Sequence, residues 1–363
     1  MLKTDFLLIG QGISGTWLSY FLEKYGIDHL VIDNGYSGSA SRLAGGLINP
    51  VTGRNKVKTW LAEELLPFCK EQYQSIGAVL NETVIEEKQI IECFTNNEAI
   101  ELFKRRIGEN PQFLHLLPTE SAFKGYFKNV SGFGCIDPAY LVRVELLLHA
   151  WRNRLTKRKQ LVEAEFDSKK LLVTDQGFNY EDIEFNKIIY CDGIGIQNHS
   201  LPHVIPLAPT KGEALIVKIP GLPTDSIFKN KLTLLPMKQI EHWWVGSSVE
   251  WEFENERPTE NFKAQTLQAL ENWLALPIEL IEQRSAIRMG TMERRPLVGM
   301  QGPHKKVGYL NGMGTKGVML APYFATQFVS CLVSSFFAGS AANVVAVNAN
   351  AIRINNCFIG FLL

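Results

Sequence analysis

The stretch Phe6-Leu7-Leu8-Ile9-Gly10-Gln11-Gly12-Ile13-Ser14-Gly15 decides the fold: four apolar residues run directly into a turn punctuated by three glycines. An apolar run without alternation reads as a strand buried on both faces, and residues 16–25 then read as a helix leading to a second strand at 29–33. In the resulting βαβ unit each glycine has its own duty. Gly10 permits the tight turn, Gly12 lets backbone approach a pyrophosphate, and Gly15 lets the helix lie close on the strand. Ile13 and Ser14 belong to that turn, ahead of a helix whose amino end attracts phosphate charge, and Asp33 ends the second strand where it can accept hydrogen bonds from ribose hydroxyls. The unit calls for a dinucleotide without saying which.

Working outward, 363 residues leave room for a second domain, and a composition of 46% hydrophobic and 20% charged residues excludes disorder as the main state. The 37 basic residues balance 37 acidic ones, so no long-range field favours nucleic acid as a partner. Cys69, Cys93, Cys135, Cys191, Cys331 and Cys357 form no CxxC pair, which fits reduced thiols in the cytoplasm. His199 and His203 have a ligand-like spacing, but Pro202 separates them and no acid or cysteine completes the set, so no metal is expected. The start of the chain shows no charged leader with an apolar run behind it, and a strand begins almost at once. No charged side chain lies between Lys316 and Arg353, yet Gly317, Pro322, Gly339, Asn343, Asn348 and Asn350 interrupt that stretch. It reads as a buried helix plus tail rather than a membrane span.

Three further glycine-rich segments follow. Ser39-Ala40-Ser41-Arg42-Leu43-Ala44-Gly45-Gly46 offers small residues that let backbone lie flat against a planar group, with Arg42 in reach of a phosphate; a plain surface loop is the competing reading. A strand at 186–191 ends in Cys191-Asp192-Gly193, a second close-approach turn. A strand at 308–310 leads into Gly312-Met313-Gly314-Thr315-Lys316-Gly317, which opens a helix near Val318. Each segment alone is an ordinary turn, but their order calls for one nucleotide held by four turns.

These residues resemble the FAD-dependent D-amino-acid oxidase superfamily, in particular its glycine oxidase and sarcosine oxidase branch. The resemblance rests on GQGISG with Asp33, SRLAGGLINP, Gly134-Cys135-Ile136-Asp137-Pro138, YCDGIG, Ile287-Arg288-Met289-Gly290 through Gly299, and GMGTKGVMLAP. It implies an α/β fold: a discontinuous Rossmann-like FAD-binding domain over 1–78, 136–208 and 289–363, and an α+β substrate domain on an antiparallel sheet over 79–135 and 209–288. The segments 209–213 and 244–248 look like that domain's strands. Asp137 and Pro138 read as the cap and first turn of a helix with Leu141, Leu148, Trp151 and Leu155 on its apolar stripe. Residues 60–68 read as a second helix, which Pro67 ends or kinks.

The resemblance further implies oxidation of a primary or secondary amine, an amino acid or N-substituted amino acid, by hydride transfer to flavin N5, giving an imine that water hydrolyses. Arg288 matches the arginine that grips the substrate carboxylate, with a structural ion pair as the competing reading. Lys316 is the candidate for electrostatic assistance at the flavin, against a lysine that simply reaches water. Thr233 and Thr315 stand where the family carries a tyrosine and, in glycine oxidase, a second arginine, so the pocket differs; Trp243, Trp244, Trp251 and Phe253 are candidate walls. The branch that tethers flavin covalently uses a cysteine near the arginine strand, and none occurs between Arg284 and Gly299, so FAD is expected to be noncovalent. Oxygen is the expected acceptor. Alternatives are a tRNA wobble-uridine-modifying oxidoreductase domain and a non-catalytic flavin-binding protein. The basic run Arg152, Arg154, Lys157, Arg158 and Lys159 reads as a solvated helix end rather than an RNA contact. Arg54, Lys56 and Lys58 read as surface charge or as the mouth of the site.

Overall fold

Strand β1 (Leu2–Ile9) ends in four consecutive buried residues because it has a parallel neighbour on each side, β2 (His29–Ile32) and β12 (Ile183–Tyr190). The computed structural model describes residues 2–118, 122–199, 207–301 and 306–338. These divide into two compact units, the first formed by Met1–Tyr36, Trp151–Leu207 and Met289–Leu363, the second by Ser37–Ala150 and Ala208–Arg288.

In the first unit, β9 (Leu161–Val162) pairs parallel with β2, and β19 (Val307–Asn311) parallel with β12, so the parallel order is β9-β2-β1-β12-β19. The antiparallel strands β10 (Leu171–Val173), β11 (Phe178–Tyr180) and β18 (Leu297–Gln301) extend the sheet. Helix α1 (Ile13–Lys24) packs along α6 (Gly317–Ala338), and Leu7, Ile9, Leu30, Ile188 and Tyr309 form a core on the sheet. A short relay locks α1 to its surroundings. Trp151 Nε1 donates to Ser19 Oγ at 3.1 Å, Ser19 Oγ lies 2.9 Å from His29 Nε2, and His29 Nδ1 lies 3.1 Å from Ile27 O. Among the described residues α6 is the one helix long and apolar enough to cross a membrane, and its Ala321, Ala325 and Val329 are buried.

The second unit is a nine-stranded sheet, β17 (Glu279–Thr291), β13 (Leu207–Lys218), β16 (His242–Gly246), β15 (Thr233–Pro236), β14 (Ser226–Lys229), β6 (Ile85–Phe94), β8 (Gly132–Val142) and β3 (Leu47–Ile48), with β7 (Leu114–Leu116) on β8. It is mostly antiparallel, with β14 parallel to β6. Side chains alternate across a strand, so one face carries Leu215, Val217, Phe228, Leu234, Trp243 and Val245 into a core closed by Leu270 and Trp273 of α5 (Glu260–Trp273). A small hairpin, β4 (Val51–Thr52) with β5 (Val57–Lys58), and helices α2 (Ala62–Leu80) and α3 (Asn97–Glu109) complete the unit.

Two local expectations are corrected. Asp137 and Pro138 lie inside β8, not at a helix start; α4 (Val144–Lys157) begins later, because residues 132–142 find antiparallel partners in β6 and β7 that outweigh the capping signal. Pro67 does not end α2, which continues to Leu80 on the buried side chains of Tyr73 and Ile76. Residues 37–78 and 136–150, expected with the nucleotide-binding segments, fall in the second unit, to which β3 is joined by its pairing with β8.

Candidate functional site

In the first unit the glycine-rich turns collect at the carboxyl ends of neighbouring parallel strands, where open α/β sheets bind ligands. Gly10 N donates to Ile32 O and Cys191 N to Ile9 O, both at 2.8 Å, so the turns after β1, β2 and β12 are stitched side by side. Gly10 has φ +95°, and a Cβ there would come within 2.7 Å of Asp192 Cα; a Cβ on Gly15 would collide with Gly10 O. Any side chain at either position would push helix from strand or turn from turn. Gly12, the N-cap of α1, has no side chain to cap the first-turn amides, and Ile13 and Ser14 follow it, both buried.

The Asp33 carboxylate is held from three directions: Gln11 N donates to Oδ2 at 2.7 Å, and Gly35 N (2.8 Å) and Arg152 Nη1 (2.6 Å) donate to Oδ1. Arg152 is a partner that sequence reading missed. The basic run at the end of α4 is not merely solvated, since Arg152 pairs with Asp33 and Arg154 with Glu23 of α1.

Asp192 opens a short helical turn, Gly193–Asn198, and its Oδ2 lies 2.6 Å from His199 Nε2. Burial raises the Asp192 carboxyl above its usual range, against the pull of His199, and burial also pushes the Cys191 thiol well up. Asn311, also unforeseen, ties two turns together: its Nδ2 donates to Asp192 Oδ1 and Gly193 O, while Gly312 N donates to its Oδ1 at 2.8 Å. Gly193, Gly312 and Gly314 adopt positive φ of 60°, 70° and 56°. Met313 is buried, Thr315 is exposed, and a Cβ on Gly317 would sit 3.4 Å from Ile13 Cγ2, which places the start of α6 beside the start of α1. Lys316 is half-buried with no carboxylate within ion-pair distance among the described residues, and burial lowers its ammonium below the usual lysine range.

In the second unit, Ser41, Arg42, Ala44, Gly45 and Gly46 form a turn fixed by Arg42 N donating to Ser39 O and by Val142 N donating to Gly46 O. Trp244 Nε1 donates to Leu43 O at 3.2 Å, and its ring lies against Gly45, where a Cβ would approach to 3.1 Å. Of the four candidate wall aromatics, Trp243 belongs to the core and Trp251 is exposed, while Trp244 and Phe253 are half-buried.

Arg288 lies on β17 with its guanidinium spread over Gly212, where a Cβ would fall inside it. Nη2 donates to Ser247 Oγ at 3.0 Å and Nη1 to Ser248 O at 3.2 Å. These serines were visible in the sequence only as part of a strand end. Among the described residues no carboxylate pairs with Arg288, and burial lowers its guanidinium below the ordinary arginine range. A planar cation held by neutral acceptors and out of bulk water is built to receive an anion.

No group of histidine, cysteine and acidic side chains suited to a metal occurs among the described residues. His203 and the tail from Ser340 lie outside them.

The family described as FAD dependent oxidoreductase matches residues 5–329. Glycine oxidase from Geobacillus kaustophilus shares 16% identity at a TM-score of 0.75, covering 92% of this chain and 95% of that one. Glycine oxidase from Bacillus cereus gives 16% and 0.74 over 94% and 99%. Iminodiacetate oxidase from Chelativorans gives 19% and 0.71 over 94% and 97%. At such identities these likenesses speak to the fold.

Proposed function

Since the chain belongs to the FAD-dependent oxidoreductase family and FAD is its cofactor, we propose that it oxidises an amine carrying a carboxylate, a primary or N-substituted amino acid. The observation that carries this reading is Arg288, desolvated, without an acidic partner among the described residues, and held flat by Ser247 and Ser248. A carboxylate is the anion whose two oxygens match such a fork.

The residues of the first unit fit FAD. Gly12 leaves the first-turn amides of α1 uncapped for pyrophosphate, Gly10 and Gly15 let turn and helix pack closely enough to present them, Ile13 and Ser14 bring the helix end to it, and Asp33 offers its carboxylate to the ribose. Cys191, Asp192 and Gly193 line the next turn, and Gly312, Met313, Gly314, Thr315 and Gly317 the last. We assign Ser41, Arg42, Ala44, Gly45 and Gly46 of the second unit to the cofactor as well. When bound, FAD supplies the hydride acceptor at flavin N5.

The protein's own part is orientation and charge. Arg288 fixes the carboxylate, and with it the carbon beside the amine nitrogen. Trp244 offers an apolar wall that keeps water from that carbon. Lys316 and the amino end of α6 hold positive potential at the Gly314–Gly317 turn, suited to negative charge that builds up on the cofactor. The imine formed leaves for hydrolysis by water. FAD is held without a covalent bond, oxygen is the acceptor, and the enzyme works in the cytoplasm. Anaerobic addition of amino acids to the yellow protein tests the reading: amino acids bleach the flavin band, and a panel in which none does so would overturn it.

A further inference from the structure

A buried ion pair lies on the opposite face of the second unit's sheet from the Arg288 guanidinium. Lys211 and Glu213 flank Gly212 on β13, and their side chains, both out of solvent, meet at 3.3 Å. Gly212 between them is the residue on which the guanidinium lies. Side chains alternate across a strand, so Glu213 shares the face of Leu215 and Val217, which enter the apolar core, and sits beneath the floor that carries Arg288.

The Glu213 carboxylate is fully engaged. Besides Lys211, Oε1 accepts from Thr259 Oγ1 at 2.8 Å, and Oε2 accepts from Thr259 N at 2.7 Å and from Gln283 Nε2 at 2.9 Å. Thr259 is the N-cap of α5, and Gln283 lies on β17, the strand of Arg288. The main chain of Glu213 is committed as well: its N–H donates to Ser248 Oγ at 2.9 Å and its carbonyl accepts from Ser248 N at 3.1 Å. Ser248 O in turn accepts from Arg288 Nη1.

The fork of Arg288 is placed by the glycine beneath it, the serine carbonyl that holds it and the strand it grows from. Each of these is tied to Glu213: Gly212 by the chain itself, Ser248 by two hydrogen bonds, and β17 through Gln283. A buried ion pair stabilises a fold no better than apolar side chains of the same volume, so stability alone does not account for charges at these two positions.

We infer that Glu213, with Lys211 as its counter-charge, is a positioning residue for substrate binding: it sets the place and tilt of the Arg288 fork and, through the fork, the grip on the substrate carboxylate. This rests on the reading of Arg288 as the carboxylate anchor. Two parallel hydrogen bonds tolerate little misplacement, so loosening Glu213 weakens carboxylate binding from the far side of the sheet.

The probe is butyrate, a carboxylate with no amine to oxidise, titrated calorimetrically into the FAD-loaded protein. Glu213→Gln leaves Lys211 without its counter-charge and is expected to weaken butyrate about tenfold at unchanged FAD content, the size of a coupling within one network. Adding Lys211→Met removes the orphaned charge and lets the amide stand in for the carboxylate, so affinity should return to within about threefold of the parent; affinity that stays low contradicts the part given to Lys211. In an Arg288→Gln background, Glu213→Gln should cost less than about twofold, because no fork is left to place. A merely structural Glu213 would move the melting temperature and leave butyrate affinity unchanged, or cost the same factor with and without Arg288, and either result overturns the inference. Should Glu213→Gln not fold, Gln283→Met decides, since it releases β17 from Glu213 without unpairing a charge: a loss of about threefold or more is expected, and unchanged affinity contradicts the role. Failure of the underlying reading looks different, because Arg288→Gln alone would then leave butyrate binding unaffected.

Discussion

Replacing Arg288 by Gln removes the charge and the fork while keeping a polar side chain on β17. In the structure the guanidinium spends one N–H on Ser247 Oγ and one on Ser248 O, and its remaining donors face no carboxylate among the described residues. A substrate carboxylate accepting two of these makes two charge-assisted hydrogen bonds, each worth about 1.5 kcal/mol or more, so about 3 kcal/mol is at stake. That corresponds to about a hundredfold or more in the apparent substrate constant. The assay is anaerobic stopped-flow, following the flavin band against amino-acid concentration, with bound FAD measured beside it. Arg288 is not among the residues assigned to FAD, and its hydrogen bonds go to Ser247 and Ser248, so FAD content should stay near the parent value. A variant that loses flavin in parallel with activity, or whose substrate constant moves less than about threefold, would refute the assignment and return Arg288 to a structural role.

Other outcomes follow from single groups. Gly15→Ala places a methyl against Gly10 O; the expected loss is about 2–3 kcal/mol of stability together with FAD, read by thermal melting and flavin content. Lys316→Met should lower the flavin midpoint potential by about 20 mV, equivalent to about 1 kcal/mol of lost electrostatic support; an unchanged potential would assign Lys316 to the surface. His29 is held neutral chiefly by burial, its pKa lowered despite the Ile27 carbonyl, so below about pH 6.5 the unfolded chain binds a proton that the folded one does not. Stability is therefore lost as pH falls through that value, and urea unfolding at two pH values should show a smaller loss in His29→Asn. Burial pushes the Cys69 and Cys135 thiols up to about 12 and raises that of Cys191 well above the usual thiol range, so thiol reagents on the native protein should label exposed Cys331 and spare these three. With no cysteine between Arg284 and Gly299, acid precipitation should leave flavin in the supernatant.

The first βαβ unit was legible because its signals are local: an apolar run, glycines at fixed offsets and an acid on the next strand all fall within thirty-odd residues. The turns at Asp192 and Gly312 were legible for the same reason, as glycines after short apolar strands. What escaped depended on partners distant in sequence. Asp137 and Pro138 carry a helix-start signature, but β6 and β7 recruit them into a strand. Arg152 looked like a solvated helix end until Asp33 was placed beside it, and Lys56 looked like surface charge until Glu92 was. The environment of Arg288 was illegible in the same way, since Gly212, Ser247 and Ser248 come from two other strands or their ends.

The most direct measurement is an anaerobic absorbance titration of the purified protein with amino acids and, in parallel, the same amines lacking the carboxylate. The expected result is a yellow protein whose flavin band is bleached by carboxylate-bearing amines and left intact by their decarboxylated counterparts. A colourless protein that refuses FAD, or a flavin bleached equally well by both sets, would contradict it.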